Sequence, residues 1–78
     1  MDENPQRIAG SWDAGDMGCG ELLIHLAVRM RALAPGQIFE LHAQDSGAVE
    51  DIPSWCRLTG HTLEYAQHPV YRIRRRNN

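Results

Sequence analysis

Cys19 is the residue of this chain best suited to covalent chemistry. It stands between Gly18 and Gly20 in the run DAGDMGCGEL, directly ahead of a long apolar-periodic segment. Glycine on both sides strips the neighbourhood of side chains and leaves the backbone free to turn. A sulfur placed there either fills a tight turn or is held where a reactant can reach it. The thiolate is the nucleophile, and an ordinary cysteine at neutral pH is mostly thiol. A helix start favours the thiolate through its unpaired N–H groups and partial positive charge. Asp16 and Glu21 act against it, since a neighbouring negative charge disfavours ionisation. Glu21 has a plainer role as well, as a first-turn acid complementing the helix dipole. These opposed effects leave the direction of the Cys19 pKa shift open.

No histidine stands near the cysteine in a recognisable catalytic pattern. His25 falls on the outer face of the following helix, and His42, His61 and His68 are scattered, none at metal-ligand spacing from a cysteine. The spacings predict no metal site. Nor is there a phosphate-cradling glycine motif or a Ser/His/Asp arrangement. Cys56 shares a helical face with Ile52 and Thr59, which predicts an inert buried thiol.

The elements that must position Cys19 follow from periodicity. Residues 7–13 alternate weakly, with Ile8 and Trp12 on one side, and read as a short strand. In ELLIHLAVRMRALAPG, Leu22, Leu23, Leu26, Ala27, Met30, Leu33 and Ala34 fill one arc of a helix opposite His25, Arg29 and Ala32, and Pro35-Gly36 ends it. Ile24 and Val28 flank that arc, either packing on a second helix or forming a small apolar docking patch near Cys19. Residues 37–44 alternate, with Phe39, Leu41 and Ala43 against Ile38, Glu40 and His42. Val49, Ile52, Trp55, Cys56 and Thr59 then share a helical face, with Pro53 expected in the first turn or so, Gly60 as the stop and His61 beside the helix carbonyls. TLEYAQ and VYRIRR form a hairpin through His68-Pro69. The order βαβαββ predicts an α/β (α+β) two-layer sandwich, with a four-stranded mixed sheet and both helices on one face.

With 78 residues the chain reads as a single domain, residues 1–6 being a flexible leader and 76–78 a flexible tail. Two cysteines are too few for a disulfide framework, and no apolar run approaches a membrane span. The polar N-terminus lacks a signal core, so a cytoplasmic location is expected. Charge is divided unevenly: residues 1–51 hold nine acids and three arginines, residues 52–78 one acid and five arginines. Arg72, Arg74 and Arg75 are candidates for a docking surface toward an acidic protein face or, more weakly, RNA; the plainer reading is a solvated terminal strand.

Taken in order, these landmarks resemble the TusA-like (SirA-like) sulfur-carrier family from about Ile8 to Arg75. Asp13 and Cys19 match an aspartate after strand one and a cysteine six residues on. Pro35-Gly36, DIPSWC (residues 51–56), Gly60-His61 and the arginine-bearing YRIRRR follow at matching spacing. CGEL stands where the family has CPxP: Gly20 and Leu22 replace two prolines, and Asp16 replaces a glycine. Proline in a first helical turn pre-sets φ, so glycine loosens the helix start.

The resemblance implies the same βαβαββ sandwich and a sulfurtransferase-like role without a cofactor. Cys19 would attack the persulfide of a donor protein, a cysteine desulfurase or a rhodanese-like protein. It would then hand the terminal sulfur to an acceptor protein. Gly18 and Gly20 would give access, and Asp16 and Glu21 would modulate charge. The alternative on the same scaffold is a non-catalytic interaction or regulatory module binding a protein or RNA.

Overall fold

A computed structural model describes residues 7–77. The expected leader, residues 1–6, and the last residue of the expected tail lie outside the described residues. The order is β1 (Ile8–Asp13), α1 (Cys19–Arg31), β2 (Ile38–His42), α2 (Ala48–Thr59), β3 (Thr62–Gln67) and β4 (Val70–Arg74). The strands lie β1-β2-β4-β3, with β1 parallel to β2 and the other pairs antiparallel. This is the expected mixed four-stranded sheet and two helices. No helix among the described residues is long and apolar enough to cross a membrane.

The core forms where alternation and helical periodicity meet. Leu22, Leu26 and Met30 of α1 and Ala48, Ile52 and Cys56 of α2 close on Phe39, Leu41, Tyr71 and Ile73 of the central strands. Both helices therefore cover one face. Gly10 has a packing reason, since a Cβ there would sit 3.3 Å from the Phe39 ring.

The structure differs from the periodic reading at several points, each with a local cause. The β1–β2 register slips between Ile8 and Gly10, so Ile8 stands beside Ile38 while Trp12 stands beside Leu41. Ile38, expected on the polar side, is buried between Ile8 and Arg74 in the central ladder. Helix α1 ends at Arg31, short of Pro35-Gly36. A residue before proline avoids the helical region, and here Ala34 closes a turn with Gln37, which donates N–H to the Ala34 carbonyl and accepts from Ala34 N–H through Oε1. Pro53 lies inside α2 and not in its first turn, and it cannot donate to the Val49 carbonyl.

Ile24 and Val28 do not pack on α2: they are 68% and 53% exposed. The buried line Leu22–Leu26–Met30 turns them to the far side of α1. His25 and Arg29 instead cover Trp12 at the sheet edge, with the Arg29 guanidinium 4.0 Å from the ring centre. Gly60 ends α2 as expected, at φ 86°, and donates to the Cys56 carbonyl. Its neighbour His61 does not cap the helix. It lies against Trp55 and accepts the Arg76 N–H at Nδ1, 3.0 Å away. Burial, then the charges of Arg76 and Arg75, lower the His61 pKa.

Candidate functional site

Parallel pairing of β1 and β2 brings the two strand-to-helix connections together at the C-terminal edge of those strands, the usual place for chemistry in parallel α/β units. Backbone bonds tie them: Ala14 N–H to the His42 carbonyl at 2.8 Å, and Gln44 N–H to the Gly15 carbonyl at 2.9 Å. The β3–β4 turn joins the same edge, since Ala43 N–H donates to the Pro69 carbonyl at 2.9 Å.

Cys19 opens α1 at this junction, 9% exposed and packed into the end of the core. Gly18 is the extended residue before the helix and makes no side-chain cap. A Cβ built at Gly18 or Gly20 meets no heavy atom within 4 Å, so both flanks of Cys19 face open space.

The sulfur's charge environment is the finding that the local sequence did not show. Cys19 Sγ donates to Asp45 Oδ2 at 3.1 Å. Burial, then hydrogen bonding to Asp45 and Asp51, push the Cys19 pKa from its ordinary 9.0 up to about 12. The opposed effects of helix start and nearby acids thus resolve upward, through burial first and then through Asp45 and Asp51. Glu21 turns away to the exposed side of α1, where it lies 3.8 Å from His25, and Asp16 is exposed in the β1–α1 connection.

Gly47 makes the arrangement fit. A Cβ there would lie 3.0 Å from Asp45 Oδ2, 3.5 Å from Asp51 Oδ2 and 3.7 Å from Cys19 Sγ. Tyr71 shares the core cluster with Cys19: burial, then the Cys19 charge, raise its pKa, and its hydroxyl shares a 2.6 Å hydrogen bond with His68 Nδ1. Asp45, Gly47, Asp51 and Tyr71 were not among the expected site residues. The signal for the first three lies in topology: a second strand-to-helix connection, parallel to the one that carries Cys19, has to lie beside it.

Cys56 is buried in the core, and burial pushes its pKa up to about 11. Both cysteines are free thiols. Among the described residues no cluster of His, Cys, Asp and Glu could hold a metal ion.

The candidate docking arginines make bonds within their own chain. Arg72 Nε donates to Glu40 at 3.1 Å and its guanidinium lies 4.8 Å from the Tyr65 ring centre. Arg74 Nε donates to Glu64 at 2.8 Å, and its Nη1 to the Gly36 carbonyl. Arg75 Nε donates to the Met30 carbonyl at the end of α1. Arg76, placed in the expected tail, donates from Nη1 to the Thr59 carbonyl at 2.7 Å. His42 first and Arg72 second hold the Glu40 carboxyl below the usual carboxylate range.

The raised thiols have a consequence for stability. A cysteine whose pKa is higher folded than unfolded keeps its proton longer in the native state, so the unfolded state binds fewer protons above pH 9.0. The contribution is fully present below 9.0 and is lost as pH rises through about 11 for Cys56 and about 12 for Cys19. Thermal melts are therefore expected to fall progressively over this alkaline window, and Cys19→Ser to flatten the decline. An equal decline in that variant would show that Cys19 is not responsible.

The chain matches the family described as Sulfurtransferase TusA over residues 12–76. It is 35% identical over 68 residues to the sulfur carrier protein TusA of Pseudomonas aeruginosa strain LESB58, covering 82% of this chain and 86% of that one. To the Bacillus subtilis protein YrkI it is 37% identical over 51 residues, 65% of this chain and 68% of that protein. To YrkF of the same organism it is 35% identical over 49 residues, 63% of this chain, and spans only 26% of that longer protein. With its βαβαββ sandwich and a match running through nearly every element, this chain belongs to the TusA sulfurtransferase family.

Proposed function

We propose that the protein is a small sulfur carrier, taking a sulfur atom onto Cys19 as a persulfide and relaying it to a partner protein. The observation that carries this reading is the placement of Cys19 where three chain connections converge, with open space beside Gly18 and Gly20. Relatives named as sulfur carriers support the same role. The donor is a protein that presents a persulfide, a cysteine desulfurase or a rhodanese-like protein, and the acceptor offers a thiol. The exchange takes place in the cytoplasm and draws on no cofactor of the chain's own.

One observation favours a second reading. A thiol whose pKa is pushed up to about 12 is a poor nucleophile at rest. That suits an interaction module that keeps the scaffold and binds a protein or RNA.

Intact-protein mass spectrometry after incubation with a cysteine desulfurase and cysteine separates the two. Wild type and Cys56→Ser are expected to gain one reducible sulfur atom, and Cys19→Ser none. Uptake that survives Cys19→Ser would move the role to Cys56. No uptake in wild type with several unrelated donors would leave the interaction module.

A further inference from the structure

Asp45 Oδ2 accepts a hydrogen bond from the reacting sulfur itself, at 3.1 Å. The groups that face Cys19 are Asp45 from the β2–α2 connection, Asp51 from the first turn of α2, and the phenol of Tyr71 from β4. No arginine or lysine occurs in residues 8–28 or 43–56, which build the two connections. No cationic side chain there stabilises a standing thiolate, while a carboxylate already holds the thiol proton. The Asp45 main chain is held, because its carbonyl accepts the Ala48 N–H, and Gly47 leaves room for its carboxylate against the sulfur.

We propose that Asp45 is the proton acceptor for Cys19 during loading, so that sulfur is taken by the thiol and not by a pre-formed thiolate. This deepens the carrier reading and rests on it. As Cys19 Sγ bonds to the terminal sulfur of the donor persulfide, its proton moves to Asp45 Oδ2. The donor's own S–S bond breaks, and its electron pair stays on the donor sulfur, which takes the proton back from Asp45. The net change is thiol plus donor persulfide giving Cys19 persulfide plus donor thiol, with no external oxidant or reductant.

Two reactions of the same sulfur respond to Asp45 in opposite senses. Alkylation by iodoacetamide needs only thiolate, so Asp45→Asn, which removes a negative charge from beside Sγ, speeds it. Loading loses its base and slows; general bases contribute about 10²–10⁴-fold. The test uses glutathione persulfide as donor, in a Cys56→Ser background, from about pH 6.5 to about pH 9.

The wild-type to Asp45→Asn ratio of loading rates is expected to be about tenfold or more at the low end, the base effect outweighing the gain in thiolate. It then shrinks as pH rises, because the variant gains thiolate while wild type does not need it. Any pH dependence of the donor cancels in this ratio. Asp51→Asn, which leaves the 3.1 Å Asp45 contact intact, is expected to speed alkylation and to keep the wild-type pH profile of loading.

A loading ratio at or below one, or one independent of pH, overturns the proposal. So does an Asp51→Asn variant that loses the profile as fully as Asp45→Asn, since the role would then belong to the shared charge. Wild type that takes no sulfur from glutathione persulfide or from several unrelated protein donors removes the carrier reading, and this one with it.

Discussion

Tyr71→Ala is expected to cost about 3–5 kcal/mol of folding stability, the range for losing a buried aromatic ring. Tyr71 is the largest fully buried side chain, 1% exposed, on the central strand β4 beside Leu41 on one side and Ala66 on the other. It belongs, with Cys19, to the core cluster that joins both helices to the sheet. A domain of this size holds roughly 4–12 kcal/mol in all, at about 0.05–0.15 kcal/mol per residue. The variant should therefore be largely unfolded in modest urea or slight warmth. Tyr71→Phe keeps the ring and loses only the bond to His68, which is exposed and can turn to water. Its expected cost is about 1 kcal/mol. Urea melts of the pair check this, and a Tyr71→Ala midpoint close to that of Tyr71→Phe would refute the account of the core.

Gly47→Ala should do the reverse, sparing the fold and altering the sulfur. Gly47 sits at φ −66°, ψ −19°, a conformation open to any residue. The change removes unfolded-state freedom, a gain of about 0.4–1 kcal/mol where strain is absent. The added Cβ, however, would be 3.0 Å from Asp45 Oδ2, so that carboxylate has to swing away from Cys19. A carboxylate at the end of a short side chain moves cheaply, so the melting temperature should barely change. The Cys19 pKa should fall from about 12, because the second largest cause of its elevation is that contact. Alkylation near neutral pH then rises about threefold for each unit of fall, as thiolate gained outweighs nucleophilicity lost. An unchanged alkylation rate in a stable variant would mean that the site absorbs the methyl without moving Asp45.

What could be read from residues alone divides along contact range. The buried face Ile52–Cys56, the glycine stop at Gly60 and the β3–β4 hairpin are local, and periodicity and turn chemistry identified them. Cys19 stood out for the same reason, through its flanking glycines. The bond between Cys19 and Asp45 spans 26 residues and exists because β1 and β2 pair in parallel, which no local pattern records. Ile38 escaped the alternation rule because a central strand has neighbours on both sides to shield even its outward residues. Helix α1 stopped early because the bonds between Ala34 and Gln37 prevailed over its periodicity.

The two helices begin at one edge of the sheet and end at the other, and the charges follow them. Asp13, Asp16, Glu21, Asp45, Glu50 and Asp51 belong to the two connections and the ends of the elements they join, whereas Arg29, Arg31, Arg57 and Arg74 to Arg76 lie at or beyond the far ends. Among the described residues, acids thus gather at one end of the strands and arginines at the other, Glu64 beside Arg74 excepted. A body charged this way has a permanent electric moment along its strands, and any external field exerts a torque on it. Near a positively charged surface it turns before it touches, and it arrives with the sulfur leading.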